Sequence, residues 1–465
     1  MSSIRTVIAG VIAAASGGLA IAGQVRHFAG WQPVLFAWVV FFLLAIWVAR
    51  SARRPTSGRQ RTAAGSLVAL VAAAVIAQAP GLFANPQTSQ DAYRAAWDGY
   101  VQQAGIDPYR FVPLDDKLGY LRDPLLFPGL GPQEPSGVTT APRPGTLFAG
   151  TAAPSPSDQL TSIPRASAGP VEPPASLGVF AVIAKVTPDS WGTRGVQAAA
   201  ALITVLTTLL IGLGLARDGR ESGFAVLYAA SPIALFEAAN NAHAEAFATA
   251  ALVAAAVWSH RHLLAGALVG LAGALAFTPL LMLPAFTAAK VGATVRTWLG
   301  AAVVFAAGYV PHVLVVGWLA VGYLPQYLKD QGYIDGDRGY AILRLVPQLP
   351  SDVLPYVALL LTVAAAVLAL LWVRQHSVAA TVTWLYGTAL LITTPAGPWH
   401  SLPLAALAVL SGRLEWLAVP VAAYGAALYT EHGIQPGWYA AGAALIVIAC
   451  GIVRSAVGGA NAVSR

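Results

Sequence analysis

Residues 63–103 read AAGSLVALVAAAVIAQAPGLFANPQTSQDAYRAAWDGYVQQ. The first half is an apolar run of membrane-spanning length. The second half opens at Asn85 and changes character at once. In a chain only 10% charged, the window from Ser89 to Pro113 gathers Asp91, Arg94, Asp98, Asp107 and Arg110, with Tyr93, Trp97, Tyr100 and Tyr109 among them. Acids, bases and aromatics crowded where a span stops mark a place at a membrane surface that handles a polar substrate.

Working outward, similar apolar runs recur along the chain. Its 465 residues are 57% hydrophobic and its mean hydropathy is +0.65. Runs of roughly 20 apolar residues are membrane helices, and frequent Gly and Pro are tolerated in them. The expectation is an all-α polytopic membrane protein with about fourteen membrane segments. The run Thr6–Gly23 is short and rich in small residues, but further spans follow it, so it reads as a retained first helix. The net charge of +7 does not imply nucleic acid as a partner, because it follows from basic residues in short cytoplasmic loops. The single cysteine, Cys450, excludes an intramolecular disulfide.

The block Arg50, Arg53, Arg54, Arg59 and Arg61 places residues 50–61 in the cytoplasm. Both termini are then expected in the cytoplasm, with the loop at Asn85 outside a plasma membrane crossed many times. The predicted divisions are N-terminal helices in 1–84 and a first outer loop in 85–194 with a Pro-rich insertion at 124–174. Central helices follow in 195–320, with a short broken pair near 263–289 meeting at Thr278-Pro279. A second outer loop occupies 321–352 and C-terminal helices occupy 353–465.

The polar clusters all fall on the outer side. A transporter places such groups near the midplane; groups confined to one surface suit a reaction there. Sugar transfer from a lipid phosphate needs a carboxylate to take the acceptor's proton and positive groups to receive the phosphate. Asp91 is the candidate base, and a helix-capping carboxylate is the plain alternative. Arg94, Lys329, Arg338 and Arg344 are candidate phosphate partners. Asp98, Tyr109 and Glu172 complete the first loop's set, although Asp98 also reads as a turn or cap. Asn241, His243 and Glu245 sit together at the membrane boundary, where unpaired polar groups are costly. Trp399 and His400 offer a stacking surface. No Cys or His spacing indicates a metal site, and no cofactor is called for, although a divalent ion is compatible with the chemistry.

The window Gln90–Gly99, with Gln103-Ala-Gly-Ile-Asp-Pro-Tyr-Arg-Phe111, resembles the first outer loop of bacterial GT-C fold glycosyltransferases. Three later stretches resemble that group in the same order: Ser231–Glu245, Leu271–Pro284 around Thr278-Pro279, and Thr394–His400. The likeness is greatest to actinobacterial polyprenyl-phosphate-mannose-dependent mannosyltransferases and their family-87-like relatives. It implies a GT-C helix bundle with short surface helices on extracytoplasmic loops. It also implies an inverting transfer, with an acidic residue of the first loop as base, which fits Asp91. The implied donor is a polyprenyl-phosphate sugar, mannose first and arabinofuranose next, and the acceptor a glycolipid or polysaccharide of the cell envelope. Relatives often carry two acids where this chain has Gln90-Asp91. A lipid-linked sugar flippase and an inactive scaffold are the rival readings.

Overall fold

The computed structural model describes residues 3–25, 32–52, 63–130, 160–336, 339–429 and 435–463. The described residues are helical, without strands. The helices are α1 (Ser3–Val25), α2 (Gln32–Ala52), α3 (Ala63–Leu82), α4 (Asp91–Gln103), α5 (Pro174–Val186), α6 (Arg194–Arg217), α7 (Val226–Ala229) and α8 (Glu245–Val257). They continue with α9 (His262–Leu275), α10 (Val291–Val316), α11 (Leu324–Asp330), α12 (Leu354–Trp372), α13 (Val378–Thr393), α14 (Leu402–Ser411), α15 (Ala418–Tyr429) and α16 (Pro436–Val463).

Seven of the described helical runs are long and apolar enough to cross a bilayer. They are α1, α2, α3, α6, the run holding α10 and α11, α12 and α16. An eighth is broken: the segment Ser222–Ala229 and the π-helical turn Ala234–Asn240 meet at 68°. The protein is a polytopic α-helical membrane protein. The expectation of about fourteen membrane segments is corrected among the described residues to seven or eight long enough to cross, because five further apolar helices are only 10–17 residues long. Proline is one cause. Pro232 has no N–H for the carbonyl of Tyr228, which accepts from the amide and the hydroxyl of Ser231 at 3.1 and 2.6 Å. Gln78 of α3 donates to the carbonyl of Ala229 at 2.6 Å. The break is thus satisfied inside the bundle, as a low-dielectric setting requires.

The predicted pair in 263–289 is only half helical: α9 is regular, whereas Thr278–Phe286 is a 3-10 stretch containing Pro279 and Pro284. Small residues let α9 and α10 touch backbone to backbone. A Cβ at Gly266 or Gly270 would strike the carbonyls of Thr297 or Ala301, the close approach that glycine permits between membrane helices. Large apolar side chains stay exposed on the outer flanks of α10 and α12, among them Leu314, Leu359 and Leu360, as lipid contact demands.

The first loop has a core of its own. Tyr93, Trp97 and Val101 of α4 pack on Leu118, Leu126, Phe127 and Ile163. Residues 131–159 of the predicted insertion lie outside the described residues. Its end, from Leu160 onward, is ordered against α4: the amide of Leu114 donates to Ala166 O and that of Ser162 to Leu126 O.

Candidate functional site

Asp91 is the first residue of α4, and its amide donates to Ser89 Oγ at 3.1 Å. A helix N-terminus favours a carboxylate. The Asp91 side chain keeps 18% of its surface open while lying between two cations. Arg165 Nη2 is 3.4 Å from Oδ1. His243 Nδ1 is 3.3 Å from Oδ2. Burial pushes the Asp91 carboxyl up, but contact with His243 and the charge of Arg165 outweigh it and hold the group below the usual carboxylate range.

His243 is delivered by the end of the broken span. The π-helical turn stops at Asn241, Ala242 takes a left-handed φ of 54°, and the amide of His243 returns to Glu237 O at 3.0 Å. A non-glycine residue in that region carries strain, and π-turns concentrate at functional sites. The ring stacks on Trp399, 4.4 Å between centroids and 16° between planes. Its Nε2 lies 3.2 Å from Glu237 Oε2. Burial alone disfavours the imidazolium, yet Asp91 and Glu237 together push it up to about 10. Glu237 is fully buried and accepts from Asn241 Nδ2 at 3.2 Å and from the hydroxyl of Tyr424. A buried chain therefore runs from Asp91 through His243 and Glu237 to Tyr424.

Asn240 and Asn241 fasten the end of α3 beside this chain. Asn240 Nδ2 donates to the carbonyls of Gly81, Ala84 and Asn85 at 3.1, 3.3 and 3.1 Å, and its Oδ1 accepts from the amide of Gln87 at 2.9 Å. Gly81 is required here, since a Cβ would meet Ala239 Cβ at 2.8 Å. The Asn241 Oδ1 accepts from the amide of Thr88 at 3.3 Å. Gln197 of α6 closes the knot, donating to Asn240 O at 2.7 Å. On the other side, His400 Nδ1 stands 3.4 Å from Glu245 Oε1. Tyr386 OH donates to His400 O at 3.2 Å and lies 3.1 Å from Thr278 Oγ1. The Thr-Pro stretch and the Pro-Trp turn thus meet the broken span.

Of the residues singled out from sequence, Asp91, Asn241, His243, Glu245, Trp399 and His400 come together. Arg94 does not reach Asp91. Its Nε binds both oxygens of Asp98, at 3.1 and 3.0 Å, and Nη1 donates to Ala168 O at 3.1 Å. That pair is buried and joins α4 to the segment carrying Arg165. Burial pushes the Asp98 carboxyl up to about 7, against the pull of Arg94. Tyr109 donates to the Glu172 carbonyl at 2.7 Å and packs edge-on to His312, which lies 2.8 Å from Asp107 Oδ2. Glu172 Oε2 accepts from the amide of Val171 at 3.2 Å. These contacts pin the first loop to α10. Lys329 and Arg344 are exposed and join no ion pair among the described residues. Arg338 lies outside the described residues. What the second loop brings to the site is Tyr327, whose ring lies 5.7 Å from the Arg165 guanidinium carbon.

Sequence reasoning passes over Arg165, Glu237 as a partner of the histidine, and Tyr424. Arg165 lies in a Pro- and Ser-rich stretch with no periodic pattern, and nothing local sets it apart from Arg143 in the same stretch. Among the described residues no group of three or more His, Cys, Asp or Glu side chains is placed to hold a metal ion. Compared with known proteins, the chain matches no family model, no curated protein and no solved structure.

Proposed function

We propose that the protein is a GT-C type membrane glycosyltransferase. It transfers a sugar, mannose before arabinofuranose in order of expectation, from a polyprenyl-phosphate donor to a glycolipid or polysaccharide acceptor at the outer face of the plasma membrane. The observation that carries this reading is the partly open Asp91 carboxylate between Arg165 and His243 at a helix start, beside apolar helices a lipid donor can reach.

The chemistry is an inverting displacement. The acceptor oxygen bonds to the anomeric carbon, the bond from that carbon to the phosphate oxygen breaks, and the acceptor proton passes to Asp91. The polyprenyl phosphate leaves with the electron pair of that bond. Arg165 is the cation suited to receive it, since guanidinium groups bind phosphate in a fixed fork. Asp91 is a weak base while two cations face it. A donor phosphate that draws Arg165 away raises the basicity of the carboxylate at the moment the acceptor needs it. His243, held by Glu237, keeps the carboxylate oriented. Basic residues including Arg217, Arg261 and Arg374 lie at the ends of α6, α8 and α12 away from Asp91; the positive-inside bias assigns that end to the cytoplasm.

The buried Glu237 within the broken span favours one rival, since intramembrane carboxylates also mark transport paths. The test is the purified protein with polyprenyl-phospho-mannose and polyprenyl-phospho-arabinofuranose, with an envelope glycolipid as acceptor. Product formed by the wild type and lost in Asp91→Asn, with Lys329→Ala unaffected, is the expected result. Donor flipped across proteoliposomes without product would overturn it in favour of transport.

A further inference from the structure

Far from Asp91, at the other ends of the same helices, lies a cavity of about 540 Å³. The separation follows from the helices themselves. Glu245 opens α8 at the Asp91 site and Ser259 follows its far end; the 13 residues between span about 20 Å. Leu275 closes α9 beside Ser176 of α5, and His262 opens it at the cavity. Thr393 closes α13 near the Pro-Trp turn, and Val378 opens it at the cavity.

The lining mixes polar and apolar side chains. His260, His262 and Arg374 line it together with Phe286, Val373 and Val378. Thr287 is one of the lining residues; its hydroxyl is enclosed and has no hydrogen-bond partner, so a small side-chain rotation toward the cavity would give it one. The first residue of α9 lines the cavity, the helix start has no side-chain cap, and its first turn has no acid. Free amides and the helix dipole there favour an anion.

No acid balances these charges from the lining elements. Residues 246–329 contain no Asp or Glu, and neither do residues 353–414. Asp218 and Glu221 are on the α6–α7 turn at the same end but do not line the cavity. At the Asp91 end, by contrast, the lining cations face carboxylates. An arginine, two imidazoles, a nearby orphan hydroxyl and apolar side chains with no counter-charge have the chemistry of a phosphate site beside a bilayer.

We infer that this cavity binds a phosphate group, with Arg374 as its cation, the His260 and His262 rings as N–H donors and Thr287 as a hydroxyl donor. The phosphate is carried by a membrane lipid headgroup or by a free phosphate. The inference stands whether or not the proposed sugar transfer is correct.

The test uses the full-length protein, delipidated in dodecyl maltoside, and reads the thermal unfolding midpoint during titration. The probes are dioleoyl phosphatidylglycerol, inorganic phosphate, and dioleoylglycerol as the phosphate-free lipid. Saturable stabilisation by phosphatidylglycerol alone assigns the group to a lipid headgroup, and equal saturable stabilisation by inorganic phosphate assigns it to a free phosphate. Arg374→Ala weakens the effective affinity about tenfold, and Thr287→Val, which removes only a hydroxyl, weakens it about threefold. Arg296→Ala, a charge change outside the lining, leaves it unchanged. If Arg374→Ala does not fold, Thr287→Val decides. The inference is overturned if neither phosphate probe stabilises saturably, if dioleoylglycerol stabilises as well as phosphatidylglycerol, if the folded lining variants bind like wild type, or if Arg296→Ala weakens binding as much as the lining variants.

Discussion

The two ends of α8, α9 and α13 treat charge in opposite ways. At one end Arg165 meets Asp91, His243 sits between Asp91 and Glu237, and His400 meets Glu245. At the other, His260, His262 and Arg374 line a cavity to which these helices bring no acid. The physics of burial accounts for the difference. Glu237 and His243 are almost wholly removed from solvent, and a charge in that position persists only when it is paired. His260 and Arg374 are exposed, so water or an incoming anion suffices. One end is electrostatically complete and leaves the Asp91 carboxylate partly open. The other is incomplete and calls for a ligand.

The largest expected effect tests the complete end. Asp91→Asn removes the proton acceptor and lowers turnover about 10²- to 10⁴-fold, the range of general-base contributions, with donor binding retained; initial rates at fixed donor concentration measure it. Glu237→Gln leaves His243 with one counter-charge. Breaking a buried pair costs about 3 kcal/mol, read as a lower unfolding midpoint, whereas a change of the same kind at exposed Asp352 costs little.

The pH dependence has a definite sign. The folded protein holds the His243 pKa at about 10, above the ordinary value of 6.5. A raised histidine pKa stabilises the fold fully below pH 6.5, and that contribution is lost as pH rises through 10. Unfolding midpoints between pH 6 and pH 10 therefore fall more steeply in wild type than in His243→Gln. The smallest effect is at Thr278→Val, which removes the hydroxyl contact with Tyr386 and costs about 1 kcal/mol.

The same comparison explains what the sequence disclosed. Asp91 was legible because it stands just past an apolar run, and His243, Trp399 and His400 because polar residues at a membrane boundary are conspicuous. Arg165 was not, because its contact spans 74 residues and passes through a stretch without periodicity. The bond between Glu237 and Tyr424 spans 187 residues, and nothing local marks Tyr424 as different from an interface aromatic. Lys329 and Arg344 were legible as charges, but their solvated placement depends on tertiary packing. Span existence was readable from hydropathy; span length was not, because Pro232 and the Thr278–Phe286 stretch interrupt helices within apolar runs.

The most direct measurement is a density map of the protein with polyprenyl-phospho-mannose bound. The proposed reaction predicts the donor phosphate on the Arg165 guanidinium and the anomeric carbon turned toward the open side of Asp91. A donor whose phosphate rests elsewhere, with Asp91 still enclosed by Arg165 and His243 and no sugar before it, would contradict the account.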